Sequence, residues 1–600
     1  AFIEVEVENK LTKQLIGNSV DVKMFEATGW SMSDSSTTTL ISPDKTKTLT
    51  VVRRCEFDPA VVRMSVVARD EEGTCHIFVK GSYEAIAAAC DRNIPADYED
   101  VTARYAREGC YVLGLGHRLA TQEEISKIES NQPLSRHEIE KNLSCLGCII
   151  FKNELKPDTA AALATLRDGN VRCVMITGDN ALTGAFIARE CGLVPEGCNC
   201  LHGSVVDGRV VWQDDRGQPT SLPDNVSTSS MQNTELFING AAFQILRTCG
   251  ALEKLLPYIR VYARMQPDDK EAAINAHINA GIITGMCGDG GNDCNALRAA
   301  HVGIALSDND ASVVSPFTDC NMSVQSVADI LIEGRSTLAT SFACYKFMIM
   351  YGQVETLNQT TNGYFGITFA EWAWLFLDGV FVISLSYLLA LAKPAAQLGK
   401  KRPTSSLIGP HTMASVLGAN AVNFFFLLLA LHLLYSEPWM ACRKFDPKSA
   451  LLSEWWRLGD NYEAGVIFLV SGCQYLHAGV QFNFGGEWRA SWWKNYPLVL
   501  VLIGFYASVV VIIYYPSVYS CMFRVNCVDQ NMIRGIIKTK IEKVNNWEHS
   551  TVIPDAFRPK IVALILCNGL FACFWESVVV SGPIGDFVRR KYPRERYIKL

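Results

Sequence analysis

Charge is scarce in this 600-residue sequence. Asp, Glu, Lys and Arg make up 19% of it against 49% hydrophobic residues, and mean hydropathy is +0.12. That is too apolar for an ordinary soluble enzyme and too charged for a chain wholly in lipid. A basic excess is also missing. The net charge of -6 excludes a strongly basic nucleic-acid binder. The 21 cysteines are thinly spread through apolar runs, which reads as reduced cytosolic and membrane thiols, not a disulfide scaffold. No signal peptide follows residue 1, which is Ala and not Met, so the chain reads as a processed product or a fragment. Long apolar runs are nearly absent before residue 340. At roughly 150 residues per domain, the length suggests about four domains.

After residue 340 six segments are long enough to span hydrocarbon, which takes about 20 residues. They lie near 342–365, 369–391, 413–435, 464–482, 496–515 and 561–581. The third and fifth are clean, and the fourth is short and carries Gln474 and His477. The first is the most polar, with Lys346, Gln353, Glu355, Asn358, Gln359 and Asn362, so an amphipathic surface helix competes there. An even count puts both ends on one side. The loop 392–410 has Lys393, Lys400, Lys401 and Arg402 and no acid, and the tail 587–600 has six basic residues and one acid. Both then face the cytoplasm. The fairly basic loop 516–560 lies opposite. A carboxylate at mid-bilayer costs at least about 2.5 kcal/mol, so Glu355 and Asp378 point to a site for a cationic cargo. The alternative is a structural pair, for instance Asp378 with Lys346 or a neighbouring amide.

Before residue 150, strand-like runs (48–53, 63–69, 76–79) mix with helical ones (82–90, 101–107), and Ser31 to Thr39 reads as a polar loop. From 151 to 330 the order changes to strand, polar loop, helix, repeated. Val171 to Ile176 is a strand-like run ended by Thr177-Gly178-Asp179, and a helix follows over 182–190. Later come a helix over 268–279, a strand over 282–287 and Gly288-Asp289-Gly290-Gly291-Asn292-Asp293. That order predicts a parallel α/β sheet with its active site at the strands' carboxyl ends. Small residues and a hydroxyl at a strand end let backbone N–H groups approach an anion. Asp289 and Asp293 offer hard oxygens for Mg²⁺. Lys270, opening a helix, can neutralise a phosphoryl group. Together these argue phosphoryl transfer.

Thr177-Gly178-Asp179, Arg264-Met265-Gln266-Pro267-Asp268-Asp269-Lys270 and Gly288 to Leu297 resemble the phosphorylation-domain motifs of P-type ATPases. Phe57 to Val66 and Lys80-Gly81-Ser82-Tyr83-Glu84 resemble that family's nucleotide-binding domain. Met24 to Trp30, Arg63 to Val67 and Ala311 to Phe317 resemble its type-5, B-branch pumps, the endolysosomal polyamine exporters and their relatives. The resemblance implies a nucleotide-binding α+β domain (1–150) and a haloacid-dehalogenase-like parallel α/β phosphorylation domain (151–335). It further implies a six-helix transmembrane bundle (336–586) and a basic cytoplasmic tail (587–600). It implies ATP and Mg²⁺ as cofactors, a lipid bilayer and a polyamine cargo as partners, no nucleic acid, a monomeric pump and an endolysosomal or vacuolar membrane. Phe57 would stack on adenine, Lys80 and Gly81 would line the same pocket, and Arg118 would reach the phosphates. Thr177, Gly178, Asp179 and Lys270 would hold the phosphoryl group. Asp289, Asn292 and Asp293 would serve Mg²⁺, and Tyr351, Glu355 and Asp378 would line the cargo path.

The sequence departs from the family in places. Lys-Gly-Ala-Pro-Glu reads Lys80-Gly81-Ser82-Tyr83-Glu84, and Glu355 stands where relatives carry Gln. The family's nucleophile motif Asp-Lys-Thr-Gly-Thr is missing. Asp44-Lys45-Thr46-Lys47-Thr48 imitates it, but Lys47 replaces the glycine that the tight turn needs. A Ser/Thr-rich loop precedes it in place of an apolar strand, so the nucleophile is expected before residue 1. Competing readings are a metal-ion pump, a membrane-protein dislocase, a membrane-anchored phosphatase and a silent scaffold. The absence of Cys-Pro-Cys in the helices weighs against the first, and intact Asp289 and Lys270 against the last.

Overall fold

A computed structural model describes the chain except for residues 1–2, 9–11, 18, 34–35, 59–60, 131–134, 153, 223–230, 232, 290, 308–313, 443–444, 450–457, 528–550 and 592–600. Gly290, Ala311 to Val313 and the end of the basic tail therefore lie outside the described residues. The chain divides into two compact units, one of residues 1–164 and 172–324, the other of 165–171 and 325–600.

The first unit begins with the hairpin β1 (Ile3–Glu8) and β2 (Thr12–Gly17), followed by α1 (Ser19–Thr28). An eight-stranded sheet comes next. Its strands are β3 (Ser31–Ser33), β4 (Ser36–Ile41), β5 (Thr48–Asp58), β6 (Arg63–Arg69), β7 (Cys75–Ser82), β8 (Cys90–Arg92), β9 (Cys110–Leu119) and β10 (Leu143–Lys152). They run in the order β3-β4-β5-β6-β7-β9-β10-β8. The helices α2 (Tyr83–Ala89), α3 (Tyr98–Arg107), α4 (Gln122–Glu129) and α5 (Arg136–Ile139) connect them. Strict alternation of buried and open residues in β7 shows why this sheet has two distinct faces. The Ser/Thr stretch expected as a loop instead forms the edge strand β3 and the start of its neighbour β4, since Thr suits a pleated strand.

Next are α6 (Thr159–Asp168), β11 (Met175–Ile176), α7 (Ala181–Glu190), β12 (Asn199–Val206), β13 (Arg209–Gln213), β14 (Pro219–Thr220), β15 (Thr234–Asn239), α8 (Gly240–Thr248), α9 (Leu252–Leu255), β16 (Ile259–Ala263) and α10 (Pro267–Asn279). Then follow β17 (Gly285–Gly288), α11 (Cys294–Ala299), β18 (Val302–Ala305) and β19 (Phe317–Thr318). The strands divide into β11-β16-β15-β12-β13-β14, parallel through β12, and a parallel β17-β18-β19. The expected run 171–176 pairs only at Met175 and Ile176. Val171 donates its N–H back to Leu166, and Arg172 is drawn to Glu235 at 2.9 Å, so the chain is still leaving α6.

The second unit is helical. It holds α12 (Gln325–Phe365), α13 (Glu371–Trp374) running through a π-helical stretch Leu375–Val382 into α14 (Ile383–Ala390), and α15 (Pro410–Tyr435). It continues with α16 (Tyr462–Gln481), α17 (Tyr496–Tyr514), α18 (Val518–Met522) and α19 (Arg558–Phe574), which continues in π form over Trp575–Val580. Among the described residues four helices are long and apolar enough to cross a membrane: 371–390, 410–435, 496–514 and 558–588. Two of the six expected spans, α12 and α16, are more polar than that. For α16 the reason is packing. Every residue from Tyr462 to Gly479 is buried, enclosed by α12, α15, α17 and α19, so it needs no lipid-facing side. Its Gln474 donates to the Asn423 carbonyl at 2.9 Å, and its His477 meets Asn568 at 3.1 Å. Helix α12 begins at Gln325, ahead of the boundary expected at 335/336, and runs without a break to Phe365.

Candidate functional site

Three places gather the residues that the sequence singles out. The first is one face of the eight-stranded sheet. Lys80 lies opposite Met64 and Leu115, and its ammonium contacts the Asp21 carboxylate of α1. Burial pushes Lys80 down to about 8. Two strands away, β5 carries an irregularity between Cys55 and Asp58 that leaves Glu56 and Phe57 outside the regular pairing. Cys55 and Asp58 pair with Ser65 and Arg63, both of which bind Glu140 on the opposite face. The extra residue turns Phe57 outward, 53% exposed, on the face of Lys80 and roughly 10 Å from it by strand spacing. Gly81 is a packing residue: a Cβ there would press on Val62 and Arg63.

Arg118 is not brought to this face. It pairs with Ile77, whose side chain is in the core, and its guanidinium grips Glu124 at 2.7 and 2.8 Å and the carbonyls of Glu138 and Ile139. The phosphate role expected for it meets a side chain already committed on the far side of the sheet. Tyr111, which the sequence reading passed over, does stand on the Lys80 face of β9. Burial raises its phenol, and the nearby Asp179 charge adds to that.

The second place is the loop set at the ends of β11, β16 and β17. Thr177 is zipped onto the neighbouring strand end: its N–H donates to Tyr262, and its carbonyl accepts from Met265 at 3.1 Å. Its hydroxyl accepts from the Asp179 N–H at 3.0 Å, and Asp179 in turn accepts from the Arg264 N–H. Nothing crowds Gly178, so the loop before α7 stays open to an anion. Lys270, on the first turns of α10, reaches Asp293 at 2.6 Å. The Asp293 carboxylate lies over Gly288, where a Cβ would collide with it, beside the exposed Asp289. Asn292 is exposed on the same turn. Two hard carboxylates at a strand end fit Mg²⁺, which takes few protein ligands and completes its shell with water and phosphate. Among the described residues no group of three or more His, Cys, Asp or Glu is gathered for a metal.

A clamp absent from the sequence reading joins these two places. Glu84, at the start of α2, meets Arg264 at 2.9 and 3.0 Å, and Asn180 donates to Glu84 and to the Tyr83 hydroxyl at 2.7 and 2.8 Å. Burial pushes Glu84 up, but Arg264 and Asn180 outweigh it and hold the carboxyl below its usual range. Asp44 sits elsewhere, at the exposed turn between β4 and β5. Hydrogen bonds from Ser42 and Thr46 lower it to about 2, which marks an ordinary turn carboxylate.

The third place is in the helical unit. Glu355 accepts from Tyr475 of α16 at 3.5 Å and from Gln359 at 3.2 Å, and the Tyr351 and Tyr475 rings lie 5.8 Å apart. Tyr351 and Glu355 face Asp378, whose Oδ1 is buried without a hydrogen-bond partner among the described residues. Asp378 falls in the π-helical stretch, a distortion that recurs at functional sites. The alternative pairing of Asp378 with Lys346 is not formed. Lys346 binds Glu576 at 2.8 Å, and Ser415 donates to that carboxylate at 2.5 Å. Tyr475 was missed because nothing in its local sequence marks it; only helix packing sets it beside Glu355.

Residues 8–158 match the family model for the P-type ATPase cytoplasmic domain N. The chain is 30% identical to polyamine-transporting ATPase 13A3 of Homo sapiens, over 98% of this chain and 52% of that protein. Residues 8–158 thus carry a P-type ATPase cytoplasmic domain N, and most of the chain is similar to P-type ATPases. Its other relatives include the vacuolar cation-transporting ATPase YPK9 of Saccharomyces cerevisiae, 30% identical over 81% of the chain and 36% of that protein. Polyamine-transporting ATPase 13A2 of Homo sapiens is 30% identical over 82% of the chain and 44% of its own length. The chain thus spans about half the length, or less, of the curated P-type relatives it matches.

Proposed function

We propose that this chain carries the nucleotide pocket, the phosphoryl-transfer loops and one wall of the cargo path of an ATP-driven membrane transporter. The cargo is a polyamine, exported from an endolysosomal or vacuolar lumen to the cytosol through an aspartyl-phosphate cycle. Phe57 stacks on the base and Lys80 attracts the phosphates. Thr177 and the open Gly178 loop orient the transferring group, and Lys270 offsets its charge. Asp289 and Asp293 would hold Mg²⁺, which supplies charge stabilisation on the transferring phosphoryl group. Six helices, α12 and α16 included, cross the bilayer.

The observation that carries the cargo assignment is the half-buried Asp378 with an unpartnered oxygen, faced by Tyr351 and Glu355 and flanked by Tyr475. An uncompensated acid inside an apolar bundle calls for a cation. Two carboxylates with phenols suit separated ammonium groups better than one metal, which needs several oxygens within about 2.5 Å of a point. The names of the relatives above support the same reading. The test is the ATPase rate of the protein as expressed from its own gene, against spermine, spermidine, Ca²⁺, Mn²⁺ and Zn²⁺. Asp378→Asn should abolish polyamine stimulation, and Glu355→Gln should be milder. Stimulation by a metal and by no polyamine would overturn the cargo assignment in favour of an inorganic cation.

A further inference from the structure

Along α12, Tyr351, Glu355, Asn358 and Asn362 recur at helical spacing and fall within a sector of about 60°. This stripe is roughly 16 Å long and leads from the two carboxylates toward the end of the bundle where α12 stops. Asn358 is 0% exposed and Asn362 3%, yet the amide oxygen and nitrogen of both have no hydrogen-bond partner among the described residues. Buried amides in that state are costly unless a polar guest completes them. Two of them, on the same stripe as a cargo carboxylate, mark where such a guest lies.

Two aromatic rings link the end of the stripe to a third acid. One turn past Asn362, the Phe365 ring stacks on Tyr435 at 5.9 Å, and the Tyr435 hydroxyl donates to Glu463 at 3.0 Å. Glu463 is only 3% exposed and lies in the first turn of α16. Helix α16 runs antiparallel to α12. Its Tyr475 sits at Glu355, and Glu463 lies about 18 Å earlier along the same helix, toward the end where α12 stops.

Resting on the polyamine reading above, we propose that Asn358, Asn362 and Glu463 extend the Glu355–Asp378 site into a lane for the outer ammonium groups of a long linear polyamine. The inner ammonium groups meet Glu355 and Asp378. The amide oxygens of Asn358 and Asn362 accept from the next one, and Glu463 meets the last. A diamine fills only the inner part, so the lane selects longer polyamines.

The experiment is equilibrium binding of radiolabelled spermine and putrescine to the protein as expressed from its own gene, held in lipid nanodiscs. Glu463→Gln and Asn362→Leu should weaken spermine binding about tenfold and putrescine binding less than about twofold. Asn358→Asp adds a charge to the lane and should tighten spermine alone, a gain that a misfolded variant cannot produce. Equal changes for both amines in these variants would overturn the lane and leave the polyamine reading standing. Wild-type protein that binds neither amine would overturn both.

Discussion

At the scale of single residues, the proposed nucleotide contacts and a structural brace fall on opposite faces of one sheet. Phe57 and Lys80 share the open face, whereas Arg118 braces the other. Phe57→Ala should weaken ATP binding by about 1–3 kcal/mol, the worth of a base–aromatic stack, measured by calorimetric titration. Arg118→Met should leave nucleotide affinity near wild type and instead lower stability by about 3 kcal/mol, because it strands the Glu124 carboxylate. Thermal melts beside titrations separate the two outcomes, and loss of ATP binding with no change in melting would contradict this placement of Arg118. Lys80 adds a pH signature. Its folded pKa of about 8 lies below the usual 10.5, so its ammonium is present below that pH and lost above it. ATP affinity should therefore fall as pH rises from about 7 to about 9, and Lys80→Met should flatten that fall.

At the scale of elements, α12 is held from two sides by different chemistry. Tyr475 of α16 meets Glu355, and Glu576, in the π-helical end of α19, meets Lys346. Lys346 and Glu576 are both buried, and Ser415 of α15 completes the carboxylate. Removing one partner of such a pair leaves an uncompensated charge. Lys346→Met or Glu576→Gln alone should cost about 3–5 kcal/mol. The double variant should recover much of that loss, read as thermal unfolding in detergent. Additive losses would mean that the two side chains do not act as a pair. The burial of α16 on every side likewise explains an element whose composition falls short of a lipid-facing span.

At the scale of the whole molecule, the proposed nucleotide face and the proposed phosphoryl-transfer loops belong to one compact unit joined by the Glu84–Arg264–Asn180 clamp. They nevertheless use separate residues, so their roles should come apart. Asp289→Asn removes one carboxylate from the proposed Mg²⁺ position and should slow phosphoryl transfer about 100-fold or more. ATP binding at Phe57 and Lys80 should persist. Phosphoenzyme formed from labelled ATP at the wild-type rate would exclude Asp289 as the metal ligand. Asp44→Asn, at an exposed turn, should leave that rate unchanged.

The sequence by itself determined what depends on neighbours along the chain. The helix opening at Pro267 before Lys270 and the helix after Thr177-Gly178-Asp179 follow from local periodicity and turn chemistry, and they form as expected. Helix ends near 365, 390, 435 and 514 follow the same way, because apolar runs stop where polar residues begin. Tertiary structure alone decided which residues face one another. A strand's side chains alternate, so its pairing register sets whether Arg118 or its neighbour His117 shares the Lys80 face, and the register Ile77 to Arg118 sends the arginine away. Helix packing chose Glu576 over Asp378 as the partner of Lys346, and left Asp378 with an open oxygen. It also set Tyr475 beside Glu355 across 120 residues of chain. Such pairings join distant segments, and no local spacing encodes them.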